Sequence, residues 1–406
     1  MGSFSGIMGA MLKKSPFFDF LNRRDSSYEE FVAATTADED YINWNEYLLA
    51  SDYGDAKAEY HAIRNSCAMF DVTPLRKIRV RGSDAGAFLD QLLTRPISGL
   101  PRMRATYAVF CDDNGNFKDD AIVYKFSDDD YLIMPSDIDH RPYFESVCER
   151  FNLDNLSFKE CTDTWAGTAI QGPLAAAALH HMGFYDVDQL RPFEVSEFNL
   201  GGGTVSVARL GFTADLGYEC WLSPNLVKSF CESIADIRET MNIDLPGYGL
   251  DALQVCRLEG GFIVAGWDCS TEIDPQPDFE RTPLELGLGW LVDLDGVDFI
   301  GKAALVEQKK NGLRHLLRYF STGQNAQLND GLDILAADSD EVIGRVNNAS
   351  WSWGLGKTIG NASLLAVHRD VENGRISIGE KTIDLSFSRK PLLELPRRNQ
   401  VPAPLG

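Results

Sequence analysis

The sequence contains no Cys-x-x-Cys pair, no closely spaced His or Cys ligand set and no apolar run long enough to cross a bilayer. These absences exclude a metal site legible from spacing and a membrane-spanning helix. Positive charge is also scarce: 38 Lys and Arg stand against 60 Asp and Glu, for a formal net charge of -22. A surface that acidic gains nothing from the counterions a polyanion would release, so nucleic acid and anionic membranes are excluded as partners. A secretory signal carries its positive charge ahead of its apolar stretch, whereas Lys13 and Lys14 follow one here, so no leader is expected. Gly6 stands where the myristoylation pattern needs Ser or Thr. Cys67, Cys111, Cys148, Cys161, Cys220, Cys231, Cys256 and Cys269 are dispersed through periodic segments and read as buried thiols of a reducing compartment. The expected location is cytoplasmic.

What is present fits an α+β enzyme. With 406 residues, 44% of them hydrophobic, the chain is long enough to bury substantial cores in two or three domains. Residues 1–45 mix Ser, Asp and Phe without a clear period and read as an N-terminal extension. Organised pattern begins with a helix over 55–64, acidic in its first turn, then a strand at 75–80 and a helix at 84–93. Strands at 106–110 and 121–126 flank Asp112-Asp113-Asn114-Gly115-Asn116, where Asn-Gly supplies the positive φ values of a tight hairpin. Further helices are expected at 174–181, 226–241 and 250–259. Beyond residue 305, short β-rich runs broken by Asn, Gly and Asp suit a small barrel. Gly201, Gly202 and Gly203 lack the helix that a dinucleotide site needs and read as a turn. Gly354 to Thr358 imitates a phosphate loop, but Trp351 stands where that motif requires glycine.

Three blocks carry a family resemblance. Val255-Cys256-Arg257-Leu258-Glu259-Gly260-Gly261, Thr282-Pro283-Leu284-Glu285-Leu286-Gly287-Leu288-Gly289-Trp290 and Asp298-Phe299-Ile300-Gly301-Lys302-Ala303-Ala304-Leu305 follow one another in the chain. They resemble, in order and spacing, the RLEAG, TPxExGLGW and DFIGKxAL blocks of the tetrahydrofolate-dependent aminomethyltransferase (T-protein) of the glycine cleavage system. Residues 344–364 are similar to a segment of that family's C-terminal barrel. The resemblance implies a three-domain cloverleaf around a folate channel. Residues 46–305 would form the folate-binding region of two intertwined α+β domains, and residues 306–406 the barrel.

The same resemblance points to site residues. In Lys118-Asp119-Asp120-Ala121-Ile122-Val123-Tyr124, strand alternation allows only Asp120 to share a face with Ile122 and Tyr124. A lone acid at a strand start is ordinarily just solvated. The match to the family's GGxxDD block instead makes Asp120 the catalytic candidate, lying beside folate's reactive nitrogens. A carboxylate there orients an amine and stabilises positive charge developing on it. Asp119, on the opposite face, is expected to be replaceable by Asn with little effect. The run Ala208 to Glu219 resembles SRTGYTGEDGFE, which implies that Glu219 faces the pterin, where one carboxylate accepts two parallel N–H donors. The alternative for Glu219 is an exposed strand acid. Phe212 takes the place of the family's tyrosine, and Tyr107 matches a tyrosine implied to line the same cavity. Trp267 and Tyr248 join Tyr107 as candidate substrate-binding aromatics, with core packing as the alternative.

Two departures bear on the reaction. The family's DVSHM reads Asp71-Val72-Thr73-Pro74-Leu75, and Leu253 replaces the arginine four residues before Arg257. Both losses remove polar groups near folate and the incoming carbon, and a lipoyl carrier protein is therefore not expected as a partner. The expected function is a tetrahydrofolate-dependent demethylase, moving a methyl group from a small methylated donor to folate N5. A sulfonium or quaternary ammonium donor, such as the dimethylsulfoniopropionate used by a demethylase of the same superfamily, already carries a good leaving group. Aromatic faces hold such a cation with about 0.5–2 kcal/mol each. A methoxy donor would need a general acid, for which Tyr107 and Tyr248 are the candidates. The alternatives are an aminomethyltransferase giving 5,10-methylenetetrahydrofolate and a folate-binding protein without turnover. The KGCYxGQ signature of folate-binding iron–sulfur assembly proteins is absent.

Overall fold

Strand alternation and one Asn-Gly turn build the first sheet. In the computed structural model, which describes residues 12–22 and 41–403, strand Arg104–Cys111 pairs antiparallel with Phe117–Ser127. Gly115, in the connecting turn, holds φ at 78°, a left-handed conformation that glycine enters without steric cost. Strands Asp130–Pro135, Ile78–Arg81 and Ser157–Glu160 complete the five-stranded sheet. Helices Ala85–Leu92 and Arg141–Phe151 cover one face of it. There Phe88, Leu92, Phe144 and Val147 form one core with Val80, Phe110, Val123 and Ile133.

Later in the same unit, six strands close into a barrel. They are ordered His315–Thr322, Lys357–Leu365, Val342–Ser352, Asp333–Ala336, Asn373–Ile378 and Lys381–Ser388. Pairing of Phe320 with Phe387 shuts the ring. Phe320, Ile343, Val346, Ala362, Ile376 and Leu385 fill it. Closure leaves no free sheet edge, which is how so short a β domain avoids edge-to-edge association.

The second unit centres on another five-stranded sheet, ordered Val195–Leu200, Gly203–Ala208, Gly217–Leu222, Ala166–Gln171 and Ala68–Asp71. Gly201 and Gly202, with φ of 59° and 81°, form the two-residue turn between the first two strands, the geometry in which both central residues need positive φ. Helices Ala175–His181 and Val227–Thr240 contribute Leu179, Phe230, Ile234 and Ile237 to its core. Helix Ala56–Asn65 is capped by Asp55, whose side chain accepts from the Ala58 N–H at 3.0 Å. Of residues 1–45, the described stretch 12–22 carries the short helix Phe18–Leu21 and sends Phe17 and Leu21 into this core. Tyr41–Trp44 pairs with Tyr47–Ala50. The strand expected at 75–80 begins only at Ile78, because Val72 to Leu75 turns back on itself with Leu75 N–H bonded to the Val72 carbonyl at 3.1 Å.

The two units are interleaved in sequence. Among the described residues, one joins 78–159 to 257–394, and the other joins those before 78 to 160–256 and 395–403. No helix of the described residues is long and apolar enough to cross a membrane.

Candidate active site

Residues Asp119 and Asp120 leave strand Phe117–Ser127 on opposite faces, and their surroundings differ completely. Asp120 keeps partial solvent access and accepts a hydrogen bond from the Tyr107 hydroxyl. The register explains the pairing: Asp120 lies opposite Val109, so Tyr107 is its diagonal neighbour on the same face. Burial first, and then the Asp119 charge, push the Asp120 carboxyl up from 3.8 to about 7, against the lowering effect of the Tyr107 bond. Burial, followed by the Asp120 charge, holds the Tyr107 hydroxyl well above its ordinary range, so it stays a hydrogen-bond donor. The Tyr107 ring lies 6.3 Å from that of Trp290 at an interplanar angle of 40°. Trp290 is 68% exposed, an open indole face close to the Tyr107–Asp120 pair.

The expectation that Asp119 is replaceable is corrected by its environment. Asp119 is fully buried. One of its oxygens accepts from Ser136 N–H at 3.2 Å, Ser136 Oγ at 2.5 Å and His140 Nε2 at 2.8 Å, and the other from Asp120 N–H at 2.9 Å. Removing the charge leaves donors facing a group that no longer matches them. Neither Ser136 nor His140 belongs to a periodic segment or a ligand spacing, so no local sequence signal announced them.

Trp267 lies in the same unit as Tyr107 and Asp120. The Arg257 guanidinium covers its ring at 5.5 Å, and its carbonyl accepts from Asn348 Nδ2 at 2.9 Å. No hydrogen bond or ring contact joins Trp267 to Tyr107 or Asp120 among the described residues. Beside it, the fully buried Asp268 gathers Arg257 Nη1 at 2.5 Å, Val264 N–H at 2.7 Å, and the amides of Asn348 and Asn361 at 3.0 and 2.8 Å. Here the arginine of the RLEGG block anchors a loop. The alternation argument could not reveal Asp268, since its partners come from three separate segments.

In the second unit, Glu219 sits within strand Gly217–Leu222 and is buried, not solvated. Its neighbours Tyr218 and Cys220 enter the helix-covered core, so Glu219 points to the other face of the sheet. Pairing places Phe70, Ala169, Glu219 and Ala208 in one row across that face. Alanine on both sides gives the carboxylate shallow flanks, while Tyr248 stacks on Phe70 at 5.1 Å. Tyr248 is 1% exposed. Burial first, with contributions that include the Glu219 charge, holds its hydroxyl well above the ordinary range. Phe212 is half-buried on the loop before this strand. That loop is fixed by Thr213 Oγ1 donating to Gln171 at 2.8 Å and by Asp215, which accepts from Arg64 at 3.1 Å and Arg397 at 2.5 Å. The departing segment is structural in part: Asp71 is buried and accepts from Ser15 Oγ and from Thr73 N–H, the latter at 2.9 Å.

A buried carboxylate flanked by small side chains suits a planar ligand with adjacent N–H donors, and a partly exposed one of raised proton affinity suits a reacting amine. Each unit, taken by itself, thus presents a carboxylate whose chemistry is compatible with a part of tetrahydrofolate.

Comparison with known proteins places the chain among relatives. Residues 35–296 match the family model described as the GCVT N-terminal domain. The aminomethyltransferase of Thermotoga sp. (strain RQ2) is 28% identical over 383 residues, covering 93% of this chain and 100% of the relative. That of Lysinibacillus sphaericus (strain C3-41) is 31% identical over 303 residues, covering 74% of this chain and 76% of the relative. The crystal structure of glycine cleavage system aminomethyltransferase T from Bartonella henselae superposes with a TM-score of 0.79 at 18% identity. It covers 94% of this chain and 98% of that one, a likeness of fold.

Proposed function

The chain belongs to the GCVT family of tetrahydrofolate-dependent one-carbon transferases, and from that premise we propose that this member moves a methyl group from a small onium donor to folate N5. The observation that carries the proposal is the Asp120–Tyr107 pair beside the exposed Trp290. Folate supplies a nucleophilic secondary amine. In its ionised form Asp120 accepts the amine N–H and takes its proton as the new N–C bond forms and the donor's bond to methyl breaks. Tyr107 keeps the carboxylate aimed, and the faces of Tyr107 and Trp290 suit a cationic donor. In the second unit, Glu219 is the proposed acceptor for the pterin N–H donors, with Phe212 the proposed aromatic partner.

The choice of an onium follows from acid–base chemistry. Tyr107 and Tyr248, the two candidate acids for a methoxy donor, both hold their protons more tightly than an ordinary phenol. A sulfonium or quaternary ammonium leaves without a proton and needs neither. Pro74, Leu75 and Leu253 offer no charge where the family carries histidine, methionine and arginine, which argues against a lipoyl-borne aminomethyl group.

The second reading is aminomethyl transfer, favoured by the names of relatives that match 93% of this chain. The product separates the two. Incubation with tetrahydrofolate and a panel of sulfonium and quaternary ammonium compounds is expected to yield 5-methyltetrahydrofolate by mass detection. Aminomethyl-charged lipoyl protein is expected to give negligible product. Formation of 5,10-methylenetetrahydrofolate with ammonia release selects aminomethyl transfer instead. Folate binding with no product from either source selects a protein without turnover.

A further inference from the structure

Directly behind Asp120, on the core face of the same strand, lies a polar cluster to which the transfer chemistry assigns no part. The inward positions that follow Asp119 on its strand, Ala121 and Val123, belong to the apolar core, as does Phe110 opposite it. Packing alone asks for another apolar side chain at 119. Instead a fully buried carboxylate stands there, and its two oxygens receive four donors: Asp120 N–H, Ser136 N–H, Ser136 Oγ and His140 Nε2. His140 is itself walled by Phe110, edge-on at 4.9 Å, and by Phe144 at 6.1 Å. Its far nitrogen lies 3.4 Å from Glu272, which also takes Lys118 Nζ at 2.6 Å. Four donors converging on two oxygens are the complement of a carboxylate.

Two things tie this charge to Asp120. The Asp120 N–H is one of the four donors, so the backbone that aims Asp120 at Tyr107 is pinned by Asp119 itself. The Asp119 charge also acts on Asp120, second to burial. The other groups that face Asp120 from packed elements are the Tyr107 hydroxyl, on the neighbouring strand, and the buried Cys269 thiol, which burial keeps protonated. We propose that Asp119, anchored by Ser136 and His140, is a positioning carboxylate whose fixed charge sets the pH at which Asp120 releases its proton. This rests on Asp120 being the reacting carboxylate. A fixed anion one residue away makes Asp120 a stronger base than an isolated aspartate, so it accepts the amine proton near neutral pH instead of surrendering it.

The test is a carboxyl titration of the full-length protein carrying 13Cγ-labelled aspartate, with the Asp120 resonance assigned by its loss in Asp120→Asn. In Asp119→Asn the Asp120 midpoint is expected to fall by about one pH unit or more, toward the ordinary carboxylate range. Ser136→Ala removes one donor and leaves Asp119 in place. With that anchor weakened, the Asp120 midpoint is expected to fall in the same direction by a smaller step. The low-pH limb of the turnover profile moves with it in each variant. An unmoved midpoint in a variant that melts cooperatively overturns the role of Asp119, since a purely structural residue changes the melting temperature alone. If Asp119→Asn fails to fold, Ser136→Ala decides. Wild-type turnover in Asp120→Asn would instead overturn the assignment of Asp120, a different failure from an unmoved resonance.

Discussion

Asp120→Asn is expected to lower turnover by about two to four orders of magnitude, the contribution of a positioned general base, while tetrahydrofolate binding changes little. Asparagine keeps an oxygen for the Tyr107 hydroxyl, so the local geometry survives and the proton acceptor does not. The pH profile checks the same assignment. Turnover is expected to rise as pH climbs through about 7, where Asp120 ionises. Stability moves the other way. The folded protein holds this proton to higher pH than the unfolded chain does, so between the ordinary carboxylate range and about 7 the native state binds the extra proton, and stability falls as pH rises. Thermal melts at pH 5 and pH 8 are expected to show a larger loss in the wild type than in Asp120→Asn. Undiminished turnover in that variant sinks the assignment.

Glu219→Gln is expected to weaken tetrahydrofolate binding by about 1–3 kcal/mol, on the order of 5- to 150-fold in Kd. The reason is the row Phe70, Ala169, Glu219 and Ala208. Alanine on both flanks leaves shallow walls beside this buried carboxylate, and a carboxylate is an acceptor of N–H groups. Glutamine withdraws one acceptor and turns an amide N–H toward a donor. Titration calorimetry at fixed pH measures the difference directly, and an unchanged affinity would remove Glu219 from the site.

Much of this was legible in the sequence, for identifiable reasons. The helices at Ala56–Asn65 and Ala85–Leu92 and the 104–127 hairpin were set by caps, period and an Asn-Gly turn, all local signals. The opposite orientations of Asp119 and Asp120 followed from alternation alone. What alternation could not supply was the third dimension. Ser136 and His140 reach Asp119 from a loop after the next strand, and Asp268 collects partners from a helix end and two barrel strands. The barrel's existence could be read from its short runs, whereas its strand order depends on which edges meet. Trp267 is a candidate from its place beside a family block, and that position gave no sign of the Arg257 guanidinium over its ring.

The interleaving of the two units sets the order in which they can be completed during synthesis. The 160–256 portion of the second unit emerges from the ribosome with Arg209 and Asp215 in place, yet each has a further partner that lies beyond the whole of residues 257–394: Arg209 donates to the carbonyl of Arg398 at 3.3 Å, and Asp215 receives Arg397. While residues 257–396 are translated, Arg209 has the Leu190 carbonyl and Asp215 has Arg64, and the bonds to Arg397 and Arg398 are still to be made. The unit that carries Glu219 is thus begun before residues 257–394 are made and completed only after them.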